Sequence, residues 1–229
     1  MFDKSKANAE LGKSVEARLL ELGIQTPTTD LVNVPAEEKI EKIEGLMTQV
    51  LETLGLDLAD DSLVETPRRV AKMYVKELMS GLTPDHFPKC TTVENKFSHG
   101  DEFVLVKNIK VKSLCEHHLM PFSDFGDRDF GCTIAYIPGD KVLGLSKLNR
   151  IVEYFARRPQ VQERLTSQIC EALKHILGTD DVIVHMGAKH TCVSMRGVED
   201  EQSVTTTLAS GGRFAEKDSG LRREFLSNL

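Results

Sequence analysis

Two short runs of metal-capable side chains lie far apart in this chain, Cys115-Glu116-His117-His118 and His190-Thr191-Cys192. Ligand pairs drawn from distant segments are how metal sites are commonly built, so the fold is expected to bring both runs to one place. Cys115 and His118, with two residues between them, can reach one ion from a single turn. Cys192 then supplies a third ligand if its strand lies alongside.

Apolar spacing places these runs among helices and strands. Leu11, Val15, Leu19 and Leu22 recur at helical spacing and Gly23 follows, which predicts an amphipathic helix with a stop signal. Its packing partner is not evident, and an oligomer is the expected cover. Residues 24 to 35 hold turn formers without a period and read as a linker, so residues 1–34 form a variable N-terminal segment and 35–229 the main domain. A second helix is expected from Pro35 to about Leu54, with Ile40, Ile43, Met47, Val50, Leu51 and Leu54 on one stripe that needs covering. Thr66 as N-cap and Pro67 at the first helical position predict a third helix, continued by Val70, Met73, Tyr74 and Leu78 to Gly81.

The texture then changes. Phe103 to Val106, Ile109 to Val111, Thr133 to Ile137 and Val142 to Leu145 read as strands, the last two joined by a hairpin turn at Pro138-Gly139-Asp140-Lys141. Pro159 is expected to open a helix with Val161, Leu165, Ile169, Leu173 and Ile176 facing inward and Gly178 closing it. Strand character resumes at Val182 to Met186 and Val204 to Thr207. Helices first, then strands, a helix and strands, imply an α+β fold with a largely antiparallel sheet.

With 229 residues and 40% hydrophobic content the chain can bury a sizeable core. A net charge of -6 argues against broad binding to nucleic acid or an anionic membrane, since both need a basic face. Any anionic ligand must therefore meet a local cluster of cations. Nowhere do ~18 apolar residues run together, as a membrane span requires, and no apolar run follows Met1-Phe2-Asp3-Lys4-Ser5-Lys6. Five scattered cysteines, an odd number, suit a reducing compartment, so a cytoplasmic protein is expected.

The chemistry turns on how many ligands the metal has. A Cys2His set leaves a fourth position for water, whose pKa zinc lowers from ~15.7 to about 7. His117 and His190 then remain as proton carriers, their ordinary pKa of about 6.5 suiting transfer in both directions. The alternative is a closed Cys2His2 site of Cys115, His118, His190 and Cys192, with no open position and a purely structural or binding role. Spacing leaves both open. A zinc nucleobase deaminase is excluded, because its His-x-Glu and Pro-Cys-x-x-Cys signatures are missing.

Five motifs in order complete the picture: 113–122 (SLCEHHLMPF), 135–138 (AYIP), 144–150 (GLSKLNR), 158–166 (RPQVQERLT) and 190–197 (HTCVSMRG). Together they resemble the GTP cyclohydrolase I family from about Pro35 to the C-terminus. The resemblance implies zinc, one per subunit, on Cys115, His118 and Cys192, with His117 and His190 as acid/base residues. It implies hydrolysis of the guanine imidazole ring of GTP, release of formate, an Amadori rearrangement of the ribose and closure to 7,8-dihydroneopterin triphosphate. Ser146 matches a serine near the ribose, although it would serve equally well as a helix N-cap. Glu163 matches the carboxylate that reads guanine, two acceptor oxygens fitting the ring N–H and the exocyclic amine. Gln162 is placed with it on the substrate side. Lys147, Arg150, Arg196 and Arg69 match the phosphate-side cations, Arg69 reaching the site from a neighbouring subunit. The architecture implied is the tunnelling fold, an antiparallel sheet with helices on one side, subunit sheets joining into barrels in a homodecamer. A related tunnelling-fold enzyme acting on another purine or pterin would share these features. One departure stands out: the acidic stretch between Phe122 and Thr133 is longer than the family pattern, and Cys132 within it is read as a non-ligand.

Overall fold

Leu165, Ile169 and Leu173 recur every four residues and are each fully buried, so helix α5 (Gln162–Leu177) lies with one face against the sheet. Gly178, at φ +66°, closes it in the left-handed conformation that suits glycine. The computed structural model describes residues 4–96, 100, 102–216 and 218–229; Met1, Phe2 and Asp3 of the opening run lie outside the described residues. The other helices are α1 (Ala9–Glu21), α2 (Ala36–Thr53), α3 (Thr66–Met73), α4 (Leu145–Ala156), α6 (Thr191–Ser194) and α7 (Gly220–Ser227). The strands are β1 (Thr92–Glu94), β2 (Val104–Ile109), β3 (Lys112–Cys115), β4 (Pro121–Ser123), β5 (Gly131–Tyr136), β6 (Lys141–Leu143), β7 (Pro159–Gln160), β8 (Val182–His190) and β9 (Thr205–Ser210). Among the described residues no helix is long and apolar enough to cross a membrane.

The long strand β8 organises the sheet. It pairs antiparallel with β5 from Tyr136↔Val182 to Gly131↔Gly187, and with β9 from Ile183↔Ser210 to Ala188↔Thr205. Its last two residues pair with β4, as Ser123↔Lys189 and Phe122↔His190. From β4 the sheet continues to β3 and then to β7, the one parallel pairing among the described strands. Alternate residues of β5 and β8 feed two cores, as the two-residue period of a strand requires. Ile134, Tyr136, Val182, Val184 and Met186 join the main core with α4 and α5. Ala135, Ile137 and Ile183 join Phe214 and the Phe225 of α7 in a second, smaller one. The helices are therefore not confined to one side: α7 covers the other face.

Several expectations change in three dimensions. The N-terminal helix has a partner in its own chain, for α1 packs on α5 with Val15 and Leu19 fully buried. The turn at Pro138-Lys141 joins no hairpin, because β6 leaves β5 and pairs with β1 in a separate two-stranded sheet. Pro159 lies in the short strand β7, and α5 starts three residues later. Thr66 is the first helical residue of α3 with Glu65 at the cap position, and a single π turn, Tyr74–Leu78, replaces the last α-helical turn. The α2 stripe is partly covered: Ile40 is buried, Ile43, Met47 and Leu51 are half-buried, and Val50 and Leu54 are 49% and 71% exposed.

The acidic stretch takes a definite place. β4 and β5 meet β8 in succession, and the register differs by six residues between them, which gives the size of the loop that interrupts the ladder. Its root is tied down by the buried Asp124, whose carboxylate accepts the Val111 and Gly126 N–H groups, both at 2.9 Å. Its far end is held where Phe130 lies against Gly187 and beneath the Lys189 ammonium. Cys132 follows in β5, fully buried in the main core.

Gly131 has φ +101°, and a Cβ there would meet the Ile109 carbonyl at 2.8 Å. Gly126 also has positive φ (+80°) but open space around it. Gly131→Ala is expected to lower the unfolding free energy by about 2–3 kcal/mol and Gly126→Ala by about 1 kcal/mol. Denaturant midpoints at unchanged m-value check the order; equal effects would refute the close approach.

Candidate functional site

Cys115 is the last residue of β3, and a tight turn follows it. Its N–H donates to the Met120 carbonyl and its own carbonyl accepts from Leu119, both at 2.8 Å. Leu119 takes φ +53° to close this turn. The second half of the site comes from the end of β8, where α6 makes one helical turn and presents Cys192. Ligand atoms of Cys115, His118 and Cys192 all lie within 4.8 Å of one another. The two distant runs do meet, and His190 is not one of the three.

The state of each group follows from its neighbours. Arg196 Nη1 lies 3.0 Å from His118 Nε2, so the guanidinium stands beside the imidazole. Burial, and then the nearby Cys115 sulfur, pushes the Cys192 thiol up. Two sulfurs and an imidazole brought this close are a donor set that fits zinc. His117 is exposed, with Nδ1 3.8 Å from the Cys115 sulfur. Cys132 has its thiol pushed far up by burial, and it is not part of the cluster.

His190 occupies a different environment. Its ring stacks on Phe122 at 4.5 Å with an interplanar angle of 7°. Burial lowers its pKa, and the charge of Glu163 partly opposes this. Its Nε2 lies 2.8 Å from Gln162 Oε1. Gln162 is itself 1% exposed, and its nitrogen donates to the carbonyls of Met186 (3.1 Å) and Thr205 (2.9 Å) and to Thr207 Oγ1 (3.2 Å). Those acceptors fix which end of the amide faces the histidine. An oxygen faces it, so the neutral form of His190 carries its proton on Nε2 and its lone pair on Nδ1. Gln162, expected on the substrate side, is thus committed to the protein beneath His190.

The remaining expected residues fall into two groups. Glu163 is exposed in the first turn of α5, close enough to influence His190. Ser146 and Lys147 lie in the first turn of α4, whose cap position is Gly144, so Ser146 is not the N-cap. Arg150, one turn further, helps line a cavity of about 800 Å³ together with Lys72, Lys76 and Arg157. That cavity includes none of the three metal-capable residues, and the donor chemistry at the turn outweighs its size as a guide to the reacting centre. Arg69 is exposed on α3, whose main packing is against α2.

Sequence reasoning missed the supports. Phe122 stacks on His190, and Arg164 pairs with Glu116 in the metal turn. A signal existed: Gln162, Thr166 and Gln168 are polar residues in α5 and all three are buried, and buried amides are kept where they have partners to hold.

If Gln162 fixes the tautomer, 15N NMR of His190 should show Nε2 protonated and Nδ1 bare near neutral pH. Gln162→Leu should turn this into a mixture of tautomers. An unchanged spectrum in that variant would refute the assignment.

Residues 43–229 match the GTP cyclohydrolase I family. The chain is 50% identical over 222 residues to GTP cyclohydrolase 1 of Shewanella loihica, an overlap covering 97% of this chain and 100% of that protein. It is 52% identical over 223 residues to GTP cyclohydrolase 1 of Photobacterium profundum, covering 97% and 99%. For the Vibrio cholerae protein of the same name the figures are 51% over 221 residues, 96% and 98%. Identity at this level, end to end, joins the paired cysteines and histidines described above in one conclusion: the chain belongs to the GTP cyclohydrolase I family.

Proposed function

We propose that this protein is a zinc-dependent GTP cyclohydrolase of type I, which hydrolyses the imidazole ring of GTP, releases formate and rebuilds the remainder as 7,8-dihydroneopterin triphosphate, the first step towards pterins and folates. The observation that carries the reading is the meeting of Cys115, His118 and Cys192 within 4.8 Å of one another. Zinc held by those three residues supplies a Lewis acid and a polarised water at neutral pH.

The chain's own residues do the rest. His190, held on one nitrogen by Gln162 and on one face by Phe122, accepts a proton at Nδ1 and returns it. His117, beside Cys115 and open to solvent, is the second proton carrier. Glu163 offers two oxygens to the guanine edge, within electrostatic reach of His190. Ser146 in the first turn of α4 faces the ribose. Lys147, Arg150 and Arg196 neutralise the triphosphate, each contributing through charge-assisted hydrogen bonds.

Assembly completes the site in this reading. The exposed apolar side chains at Leu46, Val50 and Leu54, 54%, 49% and 71% exposed, suit burial against a second copy. Arg69, exposed on the neighbouring α3, then enters the site of another subunit. Joined sheets would form the barrels of a tunnelling fold in a homodecamer and pair the open strand edges. All five cysteines are free, which supports a reducing, cytoplasmic setting.

Zinc-loaded protein given GTP is expected to yield formate and, after oxidation, a fluorescent pterin. Absence of both products overturns the reading. His190→Ala should keep its zinc and lose turnover by about 10²–10⁴-fold, whereas Cys115→Ser and Cys192→Ser should lose metal and activity together. Loss of zinc from His190→Ala would instead indicate a closed four-ligand site.

Mixing two inactive variants tests the shared site. Arg69→Ala and Cys115→Ser chains, unfolded and refolded together, should regain part of the activity because some sites then receive an intact half from each. No recovery over the separate proteins would place Arg69 outside the neighbour's site.

A further inference from the structure

A line of buried polar side chains runs from the N-terminal helix to the metal turn, and each group in it has a fixed direction. At the far end Arg158 is 1% exposed, lying over the rings of Tyr154 and Phe155. It donates to Glu16 of α1 at 2.6 Å and to Thr26 Oγ1 at 3.0 Å. Thr26 Oγ1 also accepts from Gln168 Nε2 at 3.3 Å, whose second acceptor is the Ile24 carbonyl at 2.7 Å. With its nitrogen held by the N-terminal segment, Gln168 must turn its oxygen to Gln160, which donates to it at 2.9 Å.

The Gln160 amide is fixed in turn. Its nitrogen also donates to the Phe155 carbonyl at 2.9 Å, which leaves its oxygen to accept from Arg164 Nε at 3.1 Å. Arg164 then pairs with Glu116, the residue that follows Cys115 in the metal turn. The backbone runs the same way, since the Gln160 carbonyl accepts the Glu116 N–H at 3.0 Å and Gln160 stands opposite Cys115 in the β3–β7 pairing.

We propose that the N-terminal segment from Glu16 to Thr26 is a positioning element of the metal centre, anchoring a hydrogen-bonded chain that ends on Glu116. The proposal rests on the zinc reading above and assigns a role to residues that carry none of the family's motifs. None of these side chains is a metal ligand. Their action is to hold the turn that presents Cys115 and His118, as outer partners of metal sites commonly do. Removing Glu16 leaves the buried Arg158 guanidinium without its counter-charge, and removing the Thr26 hydroxyl takes an acceptor from both Arg158 and Gln168. Gln160 is then held less firmly where it accepts from Arg164, and the turn loosens.

The test reads the metal and not turnover. Zinc release from the full-length protein to a chromogenic chelator is followed well below the unfolding temperature, with the visible absorption of the cobalt(II)-loaded protein as second readout. Thr26→Val and Glu16→Gln are each expected to speed zinc release about tenfold and to alter the cobalt bands. Thr26→Ser, which keeps the oxygen, should release zinc at the wild-type rate. Phe225→Leu, in the second core, controls for general loss of stability and should also match wild type. A wild-type protein that holds zinc while Thr26→Val and Glu16→Gln release it no faster overturns this proposal and leaves the zinc reading standing. A wild-type protein that holds no metal overturns the zinc reading, and this proposal with it. Acceleration by Phe225→Leu equal to that of Thr26→Val would reduce the effect to stability and also overturn it.

Discussion

Phe122 and His190 face each other across the β4–β8 ladder, rings stacked 4.5 Å apart, and that single register holds the two halves of the site together. One residue before Phe122 the chain leaves the turn that bears Cys115 and His118; two residues beyond His190 stands Cys192. A strand slip of one residue would send each side chain to the opposite face. The three metal-capable side chains would part even if every hydrogen bond of the sheet re-formed. The six residues added between β4 and β5 leave this register untouched because they loop out beside β8, with Asp124 binding the backbone at their root.

Behind the register lies a polar interior that would be costly if its three buried glutamines went unpaired. Gln160, Gln162 and Gln168 are each at most 1% exposed, and every one uses both ends of its amide. A buried amide left unpaired costs about 1–3 kcal/mol, so such groups persist where each donor and acceptor is met. Here they divide the work. Gln162 turns its oxygen to His190, while Gln160 and Gln168 lie on the hydrogen-bonded path from the Cys115 turn to the start of the chain.

Much of this was legible as a linear pattern. The stripes of α1, α2 and α5, the proline near the start of α3 and the glycine after α5 gave helices at close to their observed bounds, because helix periodicity is a local property. Cys115, His118 and Cys192 were legible through ligand chemistry, and they meet as expected. Pairing was harder to read. The turn formers at Pro138 to Lys141 suggested a hairpin, yet turn chemistry says only that the chain reverses, not which strand it will then pair with. Pro159 fitted a helix start and proved to be a strand residue, since the parallel pairing with β3 outweighs a local preference. The family resemblance places Gln162 with Glu163 on the substrate side, and the structure shows it buried and hydrogen-bonded to Met186, Thr205, Thr207 and His190.

The sequence by itself determined the helices α1, α2, α3 and α5, which side chains can hold a metal and which family the motifs resemble, for these depend on residue type and short spacing. Tertiary structure alone decided that α1 closes on α5, that α7 covers the second face, that Gln162 turns its amide oxygen to His190 and that a polar chain ties Glu16 to Glu116. The physical reason is distance along the chain. Each of those features joins atoms from segments well separated in sequence, and only folding sets the distance and direction on which a hydrogen bond depends.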